Sequence, residues 1–245
     1  MSERPAVPRI GKEHYDSSEY FLGEGAAHLA VLDSPFQRYR VAKVTELAAP
    51  QRTDRVVDLG CGWGTFCFAF SERVASIVGV DFSEKSIQLC RKRLAESPHP
   101  NVSFTCADGG ATGLAAGAYD LVLAADLFEH LYPDDSARVA REAFRLLAPG
   151  GRFATWTPHR GHLLEVLKNR DILLHRDITH VDYKSMEQMK TLLSDVGFTI
   201  ERAYYAESHL PGLSTIERVL SPLVPLLRRR IAVLGRKPGL ASAAG

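Results

Sequence analysis

The sequence has little of what would place it outside a reducing compartment. Its four cysteines, Cys61, Cys67, Cys90 and Cys106, form no CxxC pair and show no metal-ligand spacing. Reduced thiols in a cytoplasmic protein are therefore expected, rather than a disulfide framework or a zinc module. The opening residues, MSERPAVPRIGKEH, lack the apolar centre of a secretory signal. No uninterrupted apolar run approaches the roughly 20 residues that span a bilayer, so no stable membrane insertion is expected. Neither charge predominates, with 30 Lys and Arg against 29 Asp and Glu and a net charge of +1. There is no phosphate-tracking surface, no acidic tail and no basic patch interleaved with aromatics, so no nucleic-acid partner is expected. Internal repeats and low-complexity tracts are also missing.

What is present is an alternation. With 45 % hydrophobic residues in 245, the chain can bury a substantial core. After a loose stretch over residues 1–14, the pattern from Tyr15 to Ala49 is helical. Phe36, Tyr39, Val41, Val44 and Leu47 fall near one face, and Pro50 stops the run. This predicts an N-terminal helical cap over residues 1–50. Strand-like RVVDLG is followed by helix-like TFCFAFSERV, and SIVGVDFS by EKSIQLCRKRLAES. VSFTCAD comes next, then YDLVLAAD with the helical DDSARVAREAFRLLA, and GRFATWTP. Such alternation builds an α/β domain, here over residues 51–245, with a parallel sheet covered by helices on both faces. Further on, SMEQMKTLLSDVGF reads as a helix ending at Gly197, TIERAYYAES as a strand and RRIAVLGRKP as one more. In doubly wound sheets ligands sit beyond the carboxyl ends of the strands. The residues ending the strands, Asp58, Asp81, Asp108 and Asp126, are therefore the first candidates for a site.

The loop after the first strand reads DLGCGWGTF. A dinucleotide fingerprint would place glycine at 65, where Thr65 stands instead. Asp58, two residues before Gly60, would repel a pyrophosphate. It would attract a ligand bearing an ammonium and a sulfonium, and S-adenosylmethionine is such a ligand. Glycines allow close backbone approach to it. Asp81 can accept both hydroxyls of a ribose, a position that NAD and S-adenosylmethionine would share. Asp108 can take an adenine amino group. An alternative for each aspartate is the capping of the helix that follows.

With these motifs in place, the chain resembles the class I S-adenosylmethionine-dependent methyltransferases, and within them the small-molecule, quinone-type O-methyltransferase branch. VVDLGCGWG resembles their first motif, GVDFS the acidic ribose loop and TCADG the adenine-side motif. YDLVLAADLFEHL resembles the fourth strand, and AFRLLAPGGRF the helix, turn and strand after it. The resemblance implies a Rossmann-like doubly wound sheet of seven strands, the last inserted antiparallel after an insertion. It implies that Asp58, Gly60 and Gly62 hold the methionine end and Asp81 the ribose. Phe82 would pack on adenine, and Asp108 with Gly109 would reach the adenine edge. Asp126, ending the fourth strand, completes the candidate cofactor set. Trp63 is expected to line the loop.

Transfer to a hydroxyl of a small molecule also needs a proton acceptor, and histidine is the commonest. His130, in DLFEH, follows the fourth strand. His159, His175 and His180 fall in 159–184, which with 208–230 is expected to cover the substrate. The catalytic candidates are His130, His175 and His180. Asp126, Glu129 and His130 match a pattern that, in the quinone branch, can supply ligands to a divalent ion. Local hydrogen bonding at a helix start is the plainer reading, and no metal is assigned. Tyr15, Tyr20 and Phe21 either fold over the cofactor or anchor a helix to the core. The apolar insertion 208–230 lines a pocket or makes a homodimer contact rather than resting on a membrane. Methylation of an amine, such as a lipid headgroup, and a non-catalytic S-adenosylmethionine-binding module are the alternatives.

Overall fold

The computed structural model describes residues 9–17, 34–169, 178–209 and 212–239. Seven strands form one sheet: β1 Arg55–Leu59, β2 Ser76–Asp81, β3 Val102–Cys106, β4 Tyr119–Ala125, β5 Leu147–Pro158, β6 Thr199–Ala206 and β7 Arg230–Arg236. Their order across the sheet is β3-β2-β1-β4-β5-β7-β6. The pairs among β1 to β5 are parallel, whereas β7 runs antiparallel to both β5 and β6. The expected α/β architecture with an antiparallel last strand is therefore the observed one. The chain runs outward from β1 to β3, then returns to place β4 against the other edge of β1. The topological switch thus falls between β1 and β4, and the crevice beyond their carboxyl ends lies at the middle of the sheet.

Helices cover both faces. They are α1 Lys12–Tyr15, α2 Pro35–Ala48, α3 Thr65–Phe70, α4 Glu84–Glu96, α5 Pro133–Leu146, α6 Leu163–Asn169, α7 Met186–Val196 and α8 Leu213–Leu220. Local sequence signals explain most of their ends. Ser34 caps α2 by accepting from the Gln37 N–H, with Pro35 in the first turn. Ser185 and Gln188 form a reciprocal capping box at the start of α7, and Gly197 closes it with a φ of 112°. One core layer packs Val44, Leu47, Phe66, Phe70 and Ile87 under one face. The other packs Phe128, Val139, Leu146, Phe153 and Met189 under the opposite face.

Two expectations are corrected here. The helix after the glycine loop stops at Phe70, short of the predicted stretch to Val74. The buried face of α2 is made by Gln37, Arg40, Val44, Leu47 and Ala48, with Phe36, Tyr39 and Val41 only half-buried. Arg40 is drawn inward by an ion pair, and its Nη1 donates to Gln37 Oε1 at 2.9 Å.

Candidate active site

The strand-end carboxylates gather along one rim of the sheet, because parallel register brings successive strand ends together. Asp58 lies opposite Gly79, and Asp81 opposite Cys106. Beyond β1 the backbone turns sharply, and the N–H groups of Gly60 and Cys61 both donate to Val80 O. Gly60 has a φ of 70°, and a β-carbon there would meet Leu127 at 2.8 Å. Gly62 has a φ of 50° and faces open space where a side chain would stand. The loop therefore offers bare backbone to the crevice at Gly62.

Asp81 fastens this loop. Its Oδ2 accepts the Gly62 N–H at 2.9 Å, and its Oδ1 accepts the Ser83 N–H at 2.9 Å. Burial raises its pKa, and the two backbone N–H groups oppose that rise. Each oxygen keeps a lone pair beyond these bonds, so the carboxylate can still accept from a vicinal diol. Ser83 caps α4 and gives its hydroxyl proton to Asp16 at 2.7 Å. That contact fixes α1 above the loop and sets Tyr15 against Phe82, ring centroids 5.0 Å apart. Phe82 remains 38 % exposed, which leaves part of its ring open to a partner.

Asp58 sits behind the loop at 1 % exposure. Its Oδ2 accepts only a weak bond from Cys67 Sγ, at 3.6 Å. Burial pushes its pKa up to about 7, against the lowering effects of Cys67 and Arg40. An approaching cation would find there a carboxylate whose charge is poorly compensated. Cys61, Cys67 and Cys90 are free and buried around the loop, and Cys90 Sγ donates to Gly62 O at 3.2 Å. Trp63 O accepts from Arg93 at 2.7 Å.

On the other side, Asp108 Oδ2 pairs with Arg138 at 2.5 Å, and its Oδ1 accepts the Gly110 N–H at 2.7 Å. At Gly109, between Asp108 and Gly110, a β-carbon would stand an ordinary 3.6 Å from Val139. Asp126, at the end of β4, has a φ of 55°. Its carboxylate is held by Arg40 Nε at 2.8 Å and Arg230 Nη1 at 2.5 Å. Burial alone would raise its pKa, but Arg230 and then Arg40 hold it below the usual carboxylate value. Sequence reasoning missed both arginines. A buried arginine, on a helix face like Arg40 or at a strand start like Arg230, carries no local signal until the end of β4 that holds its partner is in place.

Glu129 and His130 follow in a short 3₁₀ turn, Phe128–His130. Glu129 is 1 % exposed and accepts from Thr157 Oγ1 at 2.9 Å. Burial and the neighbouring Asp126 charge push its pKa up to about 8. His130 Nδ1 lies 3.1 Å from Thr179 O and 3.4 Å from the Tyr15 hydroxyl. Donation to the carbonyl places the proton on Nδ1 and the lone pair on Nε2 in the neutral ring. The His180 ring stands 4.7 Å from it, and His180 Nδ1 lies 2.6 Å from the Tyr183 hydroxyl. His175, Tyr20 and Phe21 lie outside the described residues. His159 is turned away from this pair, its Nδ1 3.0 Å from Arg228 O and its ring on Tyr205.

The structure thus brings His130 and His180 together at the end of β4, next to the crevice that Asp58 and Asp81 border. It also regroups the candidate metal ligands. Glu129, His130 and His180 have ligand atoms within 4.8 Å of one another. Asp126 belongs to the arginine pair instead. Carboxylate and imidazole donors suit a divalent cation.

Residues 56–151 match the methyltransferase-domain family. The chain is 33 % identical over 126 residues to nocamycin O-methyltransferase of Saccharothrix syringae, covering 50 % of this chain and 44 % of that protein. It is 34 % identical over 115 residues to a ubiquinone biosynthesis O-methyltransferase of Bordetella avium, covering 46 % of each. The matched part is about half the length of these curated relatives or less. Among solved structures, a phosphoethanolamine N-methyltransferase of Haemonchus contortus in complex with S-adenosylmethionine superposes with a TM-score of 0.69 at 17 % identity. That superposition covers 94 % of this chain and 60 % of the other, and it speaks for the fold.

Proposed function

We propose that this chain, a member of the class I S-adenosylmethionine-dependent methyltransferase family, moves a methyl group to a hydroxyl of a small-molecule acceptor. One observation carries the reading. The glycine loop fastened by Asp81, with the buried and poorly compensated Asp58 behind it, lies beside the paired imidazoles of His130 and His180.

The donor set fits the cofactor. Asp58 supplies negative charge for an ammonium, Gly62 supplies open backbone for a carboxylate, and Asp81 keeps lone pairs for ribose hydroxyls. Phe82 offers a partly exposed ring for adenine, with Gly109 and Asp108 at the adenine edge. Asp126 is read as bordering the cofactor through its place at the end of β4. S-adenosylmethionine, when bound, supplies an electrophilic methyl on a sulfonium that leaves readily. The chain's remaining work is to hold the acceptor in line and to take its proton. His130, with its lone pair on Nε2, is the assigned base. His180 orients it, and His175 stays a candidate on the cover 159–184. Residues 1–50 act as a cap, and 208–230 as the second cover element.

The similarity to O-methyltransferases of nocamycin and ubiquinone biosynthesis supports a hydroxyl acceptor over an amine. Isothermal calorimetry with S-adenosylmethionine and with NAD tests the cofactor, and transfer of labelled methyl to phenolic acceptors tests the chemistry. Tighter binding of NAD would end the reading. Binding of S-adenosylmethionine without transfer to any hydroxyl or amine acceptor would leave a non-catalytic binding module. The cluster of Glu129, His130 and His180 favours a second reading, in which a divalent ion polarises the acceptor hydroxyl. Loss of turnover in excess chelator, restored by magnesium or zinc, would select it; full turnover would retire it.

A further inference from the structure

We propose that Arg229 seats a carboxylate on the methyl acceptor, so that the substrates of this enzyme are hydroxy acids. The inference rests on the methyltransferase reading above and names its substrate class.

Arg229 stands immediately before β7, and its carbonyl accepts the His159 N–H at 3.0 Å where β5 ends. This is the half of the sheet opposite β2 and β3, whose ends carry Asp81 and Asp108. It is therefore the side left for the acceptor. Arg229 Nη1 is buried and has no hydrogen-bond partner. Among the described residues, no carboxylate lies within ion-pair distance of its guanidinium.

Its neighbours do not fill the gap. Arg230 and Arg40 share the one carboxylate of Asp126, so the cluster holds three guanidiniums and one directly paired anion. Arg230 repels Arg229, while Glu217, Glu165 and Tyr39 act on it only at longer range. Glu217 Oε2 accepts the Ser208 N–H, and its Oε1, which makes no hydrogen bond, faces His162 Nε2 at 4.0 Å rather than Arg229. Tyr39 donates its hydroxyl to Glu207 O, and burial raises its pKa, so it stays a neutral phenol. Burial and Arg230 together depress the Arg229 pKa, which is the mark of an uncompensated cation.

A buried N–H without an acceptor is costly, and folded proteins rarely keep one without a use. The planar guanidinium fork matches a carboxylate with two parallel hydrogen bonds. A phosphate dianion fits less well, because Glu165 and Glu217 place negative charge at longer range around the same space.

The test uses the full chain loaded with S-adenosylhomocysteine and two probes that differ only by a carboxylate, 3,4-dihydroxybenzoate and catechol. Thermal shift and calorimetry read binding, and labelled S-adenosylmethionine reads transfer. The acid should saturate at a concentration at least about tenfold lower than catechol, as expected for a charge-assisted pair. Arg229→Gln should abolish that preference, Arg229→Lys should keep part of it, and cofactor affinity should stay unchanged in both. Equal binding of the two probes, an acid preference that survives in Arg229→Gln, or no response to the acid or to benzoate would each overturn the proposal. Failure of the parent protein to bind S-adenosylmethionine would instead overturn the reading on which it rests.

Discussion

Replacing Asp81 by alanine removes two carboxylate acceptors at once, those of the Gly62 and Ser83 backbone N–H groups. The sequence suggests only a ribose ligand at this position, whereas the structure adds the fastening of the glycine loop. Asp81→Ala should weaken S-adenosylmethionine binding by roughly 1–3 kcal/mol, through lost charged hydrogen bonds and a loosened loop. Calorimetry measures it, and unchanged affinity would remove Asp81 from the site. His130 presents a different case. Its position after β4 is legible in DLFEH, but its partners are not, since Thr179, His180 and Tyr15 come from distant parts of the chain. As the assigned base it should contribute about 10²–10⁴ in rate. His130→Ala should lower kcat by that order and leave cofactor affinity nearly unchanged. A kcat within a few-fold of the parent would transfer the role to His175, His180 or a carboxylate.

At the scale of elements, β1 and β2 are legible because each is a short run rich in valine or isoleucine with an aspartate at or next to its end, RVVDL and SIVGVD. Their parallel pairing followed from the helices between them. The order with β7 inside β6 came from the resemblance and not from any property of IAVLGR itself. Helix faces were less legible. Periodicity assigns Phe36, Tyr39 and Val41 to the core side of α2; Tyr39 and Val41 pack against the core half-buried, while Gln37 and Arg40, which periodicity does not pick out, are buried, Arg40 on Asp126. The insertion 208–230 is clearer in the structure than in the sequence. Its prolines limit α8 to eight residues; Val219 within it is 64 % exposed and Leu223 beyond it 81 %. Ile216, Leu220 and Leu226 add further exposed apolar area. Exposed apolar area of this kind commonly marks an interface, and it supports the expected homodimer contact. Sedimentation should show a concentration-dependent dimer, and Val219→Asp with Leu223→Asp should give a monomer of unchanged melting temperature. A parent that stays monomeric at the highest concentration would remove the contact.

For the molecule as a whole, the buried carboxyls couple folding to pH. No helix among the described residues is long and apolar enough to cross a membrane. Asp58 has a folded pKa raised to about 7 and Glu129 one raised to about 8, in both cases first by burial. A raised carboxyl means that the folded state keeps a proton the unfolded chain has already lost. Its stabilising contribution is complete below the unfolded value and declines as pH rises to the folded one. For Glu129 that window runs from about 4.5 to about 8, and for Asp58 from about 3.8 to about 7. His159 and His209 act in the opposite sense. Burial lowers both, so they add stability as pH rises, and that gain is complete by the ordinary value of 6.5. Asp126 is held low by its arginines and changes only in acid. The buried thiols Cys61 and Cys67 are raised and lose their contribution only above the ordinary thiol value of 9.0. Between pH 6.5 and 8 the carboxyls therefore stand out among these groups. Stability of the ligand-free protein should fall there by about 1.4 kcal/mol per pH unit for each proton involved. Urea unfolding at half-unit intervals would show it. Glu129→Gln should flatten the slope up to pH 8, and Asp58→Asn only the part below 7. A stability that rises steadily across this interval, or a slope untouched by either substitution, would mean that neither carboxyl holds its proton in the fold.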